Sequence, residues 1–238
     1  LLRMRWNVVL GGFIVCAGTG PLSLLIFGWD GHLAWYENSV APYASQPLSA
    51  WNVQSISGGV LRLTGEINAA WSWDPRELTP LQQIVVTATS ILCLSLAAFA
   101  VLAPRPAFVR QVPGQAMQEV EFMLVIVLAC VVSPLSWSHY YAWMIIPMAF
   151  FLGRTDHFNG GAATRWIGWT AFVLMSAPAA LLMVDHPLIA QLIARFETSR
   201  TLIGGMLMLG LLVWSRWTIG SADRIQGSLS FKRAVSPG

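Results

Sequence analysis

The chain has 238 residues, of which 55% are hydrophobic and only 11% are charged. A soluble domain carries about a quarter of its residues as charged side chains, so this composition excludes an ordinary soluble protein and predicts an all-α polytopic membrane protein. The formal net charge of +3 is small, and we infer no nucleic-acid partner from it.

Long apolar runs predict about six membrane-spanning helices. A hydrocarbon core of about 30 Å takes roughly 20 helical residues, and the runs that we assign as spans are residues 6–27, 81–103, 120–135, 139–153, 166–184 and 201–214. Pro21 predicts a kink or an early exit in the first span. We expect a single transmembrane domain over residues 1–217 and a cytoplasmic tail over residues 218–238. Because the chain begins without Met, we also expect it to be the C-terminal part of a larger protein.

The third and fourth spans are predicted to form a tight hairpin, with the sequence Ser-Pro-Leu-Ser-Trp-Ser-His at residues 133–139 as its turn. Pro134 cannot donate a backbone N–H and disfavours helical geometry at Ser133, so the first helix of the hairpin should end there. Backbone groups freed at a bend cannot stay unpaired in lipid. The turn is therefore predicted to lie at a membrane–water boundary, with His139 held at the membrane edge.

Residues 28–80 form the longest polar section, an acidic loop rich in Trp. Lys and Arg are retained in the cytoplasm, and with six spans most of the fourteen basic residues fall on the side of the two termini. That side holds Arg3, Arg5, Arg105, Arg110, Arg154, Arg165, Arg216, Arg224, Lys232 and Arg233, and the other side holds Arg62, Arg76, Arg195 and Arg200. The chain is therefore predicted to be a multi-pass plasma-membrane protein with cytoplasmic termini, and its acidic loop and His139 share the extracytoplasmic face.

His139 is the sharpest candidate for chemistry. One interpretation is an interfacial His anchored among Trp137, Tyr140, Tyr141 and Trp143 as part of an aromatic belt. The other is a His that stabilises an anionic phosphate or shuttles a proton. The sequence leaves both interpretations open.

A second cluster, Asn52, Gln54 and Ser55 followed by Arg62, lies in the acidic loop. Such polar side chains commonly cap helices or form turns. The alternative is that the amides and the hydroxyl hydrogen-bond sugar hydroxyls or a phosphate, with Arg62 adding positive charge.

Carboxylates and tryptophans of the same loop are weaker candidates. Loop carboxylates are commonly solvated, but three of them are candidate bases, namely Asp30, Asp74 and Glu77. The tryptophans either join a membrane belt or stack on a sugar ring, and they are Trp51, Trp71 and Trp73. We find no metal-ligand constellation, phosphate-binding loop or serine nucleophile motif, and we expect no cofactor.

The order of these features resembles a known family. A polar segment at residues 52–55, then Gly58 and Arg62-Leu63, then the Ser-Pro-Leu-Ser-Trp-x-His hairpin at residues 133–139, are similar to the polyprenyl-phosphate-sugar-dependent mannosyltransferases of glycosyltransferase family 87, which are polytopic enzymes of the GT-C type. The hairpin is the most specific part of this resemblance. The family more often has Asn directly before Gln-Ser, where this chain has Val53.

The resemblance implies that a hexose, most often mannose, is transferred from a polyprenyl-phosphate donor to a glycolipid or glycan acceptor on the extracytoplasmic face. His139 matches the family's histidine near the donor phosphate, and Ser136 and Trp137 of the same motif are expected to contact the donor. The family's carboxylate base lies in a loop upstream of anything that aligns here, so this chain is expected to lack it.

Two other classes of protein stay open. A lipid or solute facilitator needs a polar path through the membrane but no base. A non-catalytic membrane partner would have no outer-loop Asp or Glu even in its full-length form.

Overall fold

The computed structural model describes residues 6–65, 70–102, 114–153, 161–176 and 187–218. These residues form α1 (Trp6–Trp35), a π-helical turn (Tyr36–Val40), α2 (Ala41–Ser45), α3 (Ile56–Thr64), α4 (Pro80–Leu102), α5 (Gly114–Val132), a 3-10 helix (Ser138–Met144), α6 (Ile145–Gly153), α7 (Gly161–Ser176) and α8 (Pro187–Thr218). No strand occurs in this part of the chain, whose one β-type pairing is an isolated bridge between Val53 and Trp137. The all-α class is confirmed.

Three helical stretches are long and apolar enough to cross a membrane: Val9–Tyr43, Pro80–Leu102 and Leu188–Trp217. They support the prediction of a helical membrane protein. The predicted number of six spans is not established by them and stays a prediction.

The chain divides into two compact units, Leu1–Gln46 and Pro47–Gly238. The sequence did not indicate this division, and the predicted tail 218–238 lies almost wholly outside the described residues.

In the first unit, α1 is apolar on all sides and exposes large side chains such as Phe13 and Leu25. Its non-helical residue is Gly28, at φ 69° and ψ 169°, rather than Pro21. Glycine adopts such a backbone without a Cβ clash.

The predicted acidic loop 28–80 is partly helical. The helical conformation resumes after Gly28 and continues to Ser45, and α3 occupies Ile56–Thr64. The loop therefore consists of two different parts, one in each unit. The candidate residues Asn52, Gln54, Ser55 and Arg62 all lie in the part after Pro47, in the second unit.

The second unit is built around α8, which packs against α3, α4, α5, α7 and the 3-10 helix. The sixth span was predicted to start near residue 201, but the helix already begins at Pro187. Gly204 and Gly205 allow close approach, because a Cβ on Gly204 would lie 3.0 Å from the Ala171 carbonyl oxygen and one on Gly205 would lie 2.9 Å from the Tyr141 ring. Small residues at such crossings are typical of membrane helices.

Polar contacts fix α8 at both ends of its packed length. Near its C-terminus, Arg216 Nε lies 2.9 Å from Glu121 Oε1 of α5 in a buried ion pair. In its N-terminal half, Arg195 donates to the Leu63 and Gly65 carbonyls, which belong to the C-terminal end of α3. Cationic side chains at a helix C-terminus satisfy carbonyls that the helix leaves unpaired.

The predicted hairpin turn is present. α5 ends at Val132, directly before Ser133 and Pro134, as their backbone chemistry predicts. The chain then re-enters a helix through the 3-10 segment Ser138–Met144 and continues into α6. Of the predicted fifth span 166–184, α7 covers residues up to Ser176, and residues 177–186 lie outside the described part.

Candidate functional site

The acidic loop and the hairpin turn, which the sequence marked separately, lie side by side. Gln54 N donates to Ser136 O at 2.5 Å, and Ser138 N donates to Asn52 O at 2.6 Å. These two hydrogen bonds flank the bridge between Val53 and Trp137. Residues 52–55 and 136–139 therefore form one surface, which we call the loop–turn junction.

Gln54 is almost completely buried and fastens this junction to α8. Its side-chain Nε2 donates to the carbonyls of Trp51 at 2.6 Å and Thr198 at 2.8 Å, and its Oε1 accepts from Leu202 N at 3.0 Å. Its backbone carbonyl accepts from the Tyr141 hydroxyl at 2.9 Å. With both amide hydrogens used inside the protein, Gln54 holds the site together, and its predicted contact with substrate stays a prediction.

Arg62 lies beneath the loop, only 1% exposed. Its Nη1 donates to Val53 O at 2.6 Å and Ala50 O at 3.0 Å, and its Nε donates to Ser199 Oγ at 3.0 Å. Burial lowers the pKa of Arg62 to about 10 because the charged form loses hydration, which still leaves it charged at neutral pH. Arg62 organises the loop from inside and does not present its guanidinium to the outside.

Ser55, Ser136 and Asn52 occupy different environments. Ser55 caps α3, since its Oγ accepts from Gly58 N at 3.1 Å. The Oγ of Ser136 and the Oδ1 of Asn52 are buried and find no hydrogen-bond partner among the described residues. Buried polar atoms without partners are costly, so a hydrogen bond from a ligand would stabilise either of them.

His139 is exposed and belongs to a row of stacked rings. Trp73 stacks on Trp137 at a centroid distance of 5.5 Å, and Trp137 stacks on His139 at 6.2 Å. Tyr140 contacts His139 edge-on at a centroid distance of 4.6 Å. The imidazole makes no hydrogen bond to any described residue, so both ring nitrogens are available. This arrangement fits the aromatic-belt interpretation and also leaves His139 able to bind an anion.

A pocket of about 390 Å³ opens next to the junction. Its lining combines two tryptophans, a methionine, polar residues and the Glu197–Arg200 ion pair. The lining residues are Trp51, Gln54, Trp71, Ser138, Met175, Glu197, Thr198, Arg200 and Thr201. Small-molecule sites have volumes of about 300–1,000 Å³, so this pocket can hold one small ring. Ser138, the residue before His139, connects the pocket to the aromatic row.

The pocket contains residues that the sequence analysis missed. Glu197, Thr198, Arg200 and Thr201 belong to one turn of α8, in a stretch read as a connection before the sixth span. The available signal was the polar run from 197 to 201 inside an otherwise apolar helix. That run is unusual for a lipid-facing surface and indicates a helix face covered by protein or lining a cavity.

Of the predicted candidates, Trp51 and Trp71 line the pocket, whereas Trp73 stacks on Trp137. Asp74 is exposed and accepts a hydrogen bond from the Ser72 hydroxyl at 2.9 Å within a turn. Neither Asp74 nor Glu77 is among the described residues that line the pocket. Asp30 belongs to the first unit. No three His, Cys, Asp or Glu side chains of the described residues come together as a metal site would require.

No protein-family model matches this chain, and neither a curated protein nor a solved structure matches it. The resemblance to glycosyltransferase family 87 therefore stays a prediction from the motif residues.

Proposed function

We propose that this chain is part of a membrane glycosyltransferase that moves a hexose, with mannose as the first candidate, from a polyprenyl-phosphate carrier to a glycolipid or glycan acceptor. The proposal includes a six-span arrangement in the plasma membrane, with the termini of this chain in the cytoplasm and the loop–turn junction outside. The observation that carries it is the pairing of residues 52–55 with the Ser-Trp-Ser-His turn beside a Trp-lined pocket. A sugar and a phosphate are the ligands that such neighbouring surfaces fit.

His139 is the residue proposed to act on the donor. In the reaction, the acceptor oxygen bonds to the anomeric carbon, the bond from that carbon to the phosphate oxygen breaks, and the polyprenyl phosphate leaves with the electron pair. The acceptor proton passes to a carboxylate base, which the family resemblance assigns to an upstream loop. An exposed imidazole donating to the phosphate stabilises the negative charge that develops on the leaving group.

The buried partners support this proposal through positioning. Gln54 and Arg62 hold the loop against α8 and the turn. Because both are buried and hydrogen-bonded, the turn that carries His139 is attached to a rigid support. Preorganised groups stabilise developing charge without reorganising during the reaction.

The test is a reconstitution of the protein, in the longest form that its gene encodes, in liposomes containing radiolabelled polyprenyl-phosphate mannose and a glycolipid acceptor. The proposal predicts labelled acceptor, with empty liposomes as the control. Donor that crosses the bilayer without product would instead indicate a facilitator. Neither product nor crossing, in protein shown to be folded, would indicate a non-catalytic membrane partner.

A further inference from the structure

We propose that the pocket between the loop and α8 is a hexopyranose-binding subsite, in which Glu197 and Arg200 hydrogen-bond sugar hydroxyls while Trp51 and Trp71 contact the apolar face of the ring. The proposal deepens the proposed function. It rests on that function only for the identity of the bound sugar, which is either that of the donor or that of the acceptor. Sugar binding itself requires no transfer reaction.

The ion pair in the pocket wall is held in place by the fold. Glu197 Oε2 lies 3.3 Å from Arg200 Nε, and the two side chains are only 18% and 12% exposed. Arg200 Nη1 also donates to the Leu174 carbonyl at 2.9 Å. These contacts use Nε and one terminal nitrogen of Arg200, so Nη2 and the second carboxylate oxygen of Glu197 keep free bonding capacity toward a ligand.

A carboxylate beside a guanidinium is chemically suited to a sugar. Each hydroxyl of a pyranose both donates and accepts a hydrogen bond, and neighbouring hydroxyls need an acceptor and a donor close together. Glu197 supplies the acceptor and Arg200 supplies the donor. Hydrogen bonds to charged groups are about twice as strong as neutral ones, which suits a ligand that must leave water.

The aromatic side chains supply the second half of such a site. Trp51 and Trp71 are 44% and 57% exposed although they line a pocket. The backbone N–H of Trp51 donates to the backbone carbonyl of Ala70, the residue before Trp71, at 2.8 Å. The two indoles are therefore held on one pocket by the backbone, where a ring with an apolar C–H face would bury their surface.

The assignment of Glu197 is to binding and not to proton transfer. The carboxylate is engaged with Arg200, which holds it as an acceptor of hydrogen bonds. The base for the acceptor hydroxyl stays assigned to another loop. Loss of the Glu197 charge should therefore weaken sugar binding and raise a KM more than it lowers kcat.

The experiment measures binding of methyl α-mannopyranoside to the detergent-solubilised protein by saturation-transfer difference NMR. The wild type should give a difference signal that rises with the concentration of the sugar and then saturates. Glu197→Gln and Trp71→Ala should each weaken binding about tenfold or more. The matched controls are Glu37→Gln, an exposed carboxylate of the first unit, and Trp166→Ala, an indole 73% exposed on α7, and both should bind as the wild type does.

Absence of saturable binding by the wild type, or wild-type binding by both Glu197→Gln and Trp71→Ala, would overturn the subsite. Because Trp71 is largely exposed, Trp71→Ala should fold normally. It therefore still tests the subsite if Glu197→Gln does not fold. If these two substitutions abolish binding and the longest form that the gene encodes shows no transfer activity, the subsite is supported and the proposed function is refuted. With activity present, the KM that rises in Glu197→Gln, for acceptor or for donor, identifies which sugar the pocket holds.

Discussion

Gln54 is hydrogen-bonded to Thr198 across 144 positions of the sequence, with its side-chain Nε2 2.8 Å from the Thr198 carbonyl oxygen. The same amide accepts from Leu202 N at 3.0 Å. A regular α-helix joins the carbonyl of one residue to the N–H four residues later, so Gln54 bonds both groups of one such pair in α8. One loop side chain thus sets the position of the pocket wall.

Replacing Gln54 by Leu should therefore destabilise the second unit, because leucine fills similar volume but leaves the Trp51 carbonyl and the α8 groups without this partner. Loss of buried hydrogen bonds of this kind costs about 2–3 kcal/mol. The melting temperature of the solubilised protein should fall by roughly 5–10 °C. Gln83→Leu is the control, since the Gln83 side chain is exposed and its Nε2 donates a long hydrogen bond, 3.3 Å, to Thr87 Oγ1. Equal melting temperatures for the two variants would contradict the anchoring role.

Arg62→Met should be at least as damaging. Methionine keeps the apolar stem of the side chain but removes the donors to Val53, Ala50 and Ser199. Hydrogen bonds from a buried charged donor contribute about 1.5–3 kcal/mol each. Thermal unfolding would measure the loss, with the exposed Arg165→Met as the control. Arg62→Lys should recover only a part of the lost stability, because one ammonium group cannot reproduce the planar fork of a guanidinium.

A glycine in α3 gives a purely steric test of how the loop lies on that helix. A Cβ at Gly58 would be 2.9 Å from Leu48 O and 3.0 Å from Val53 O, both backbone atoms, whereas a Cβ at Gly210 would meet nothing within 4 Å. Gly58→Ala should lower the melting temperature. Gly210→Ala should leave it unchanged or raise it, because alanine favours the helix by about 1 kcal/mol. Equal melting temperatures for the two variants would mean that the loop does not lie against α3 at Gly58.

The end of α5 could be predicted from the sequence because Pro134 acts through its own backbone chemistry. The burial of Arg62 could not be predicted in that way. Its backbone acceptors are the carbonyls of Ser49, Ala50 and Val53, and they surround the guanidinium only after the loop has folded over α3. In the sequence, Arg62 is one of few basic residues in an acidic loop, which indicates exposure.

The pocket wall escaped prediction for a related reason. A hydropathy window ends a span at a polar run, and the residues from Glu197 to Thr201 form such a run within α8. Contacts distant in sequence, with Gln54 and Arg62, satisfy that polar face of the helix. The juxtaposition of residues 52–55 with the turn likewise depends on backbone pairing between segments about 80 positions apart, which no local pattern encodes.

The proposed orientation has a direct chemical test. Single Cys reporters at Ser72 and Ser228, in a background lacking Cys16, Cys93 and Cys130, should differ in their reaction with a membrane-impermeant thiol reagent added to intact cells. Ser72→Cys should be labelled, because the acidic loop is proposed to lie outside. Ser228→Cys should react only after the cells are permeabilised. The reverse pattern would overturn the orientation that the distribution of basic residues predicts.

The central claim is that His139 stabilises the donor phosphate, and transfer by His139 variants of the intact enzyme tests it most directly. His139 is exposed, and its ring contacts are with Trp137 and Tyr140, so His139→Ala should leave the melting temperature nearly unchanged. Removing one donor to a developing negative charge costs about 3 kcal/mol, or on the order of a hundredfold in rate. We expect that loss in kcat for His139→Ala, with partial recovery in His139→Gln if hydrogen bonding carries the effect. Wild-type turnover by folded His139→Ala would contradict the claim and leave His139 as a member of the aromatic belt.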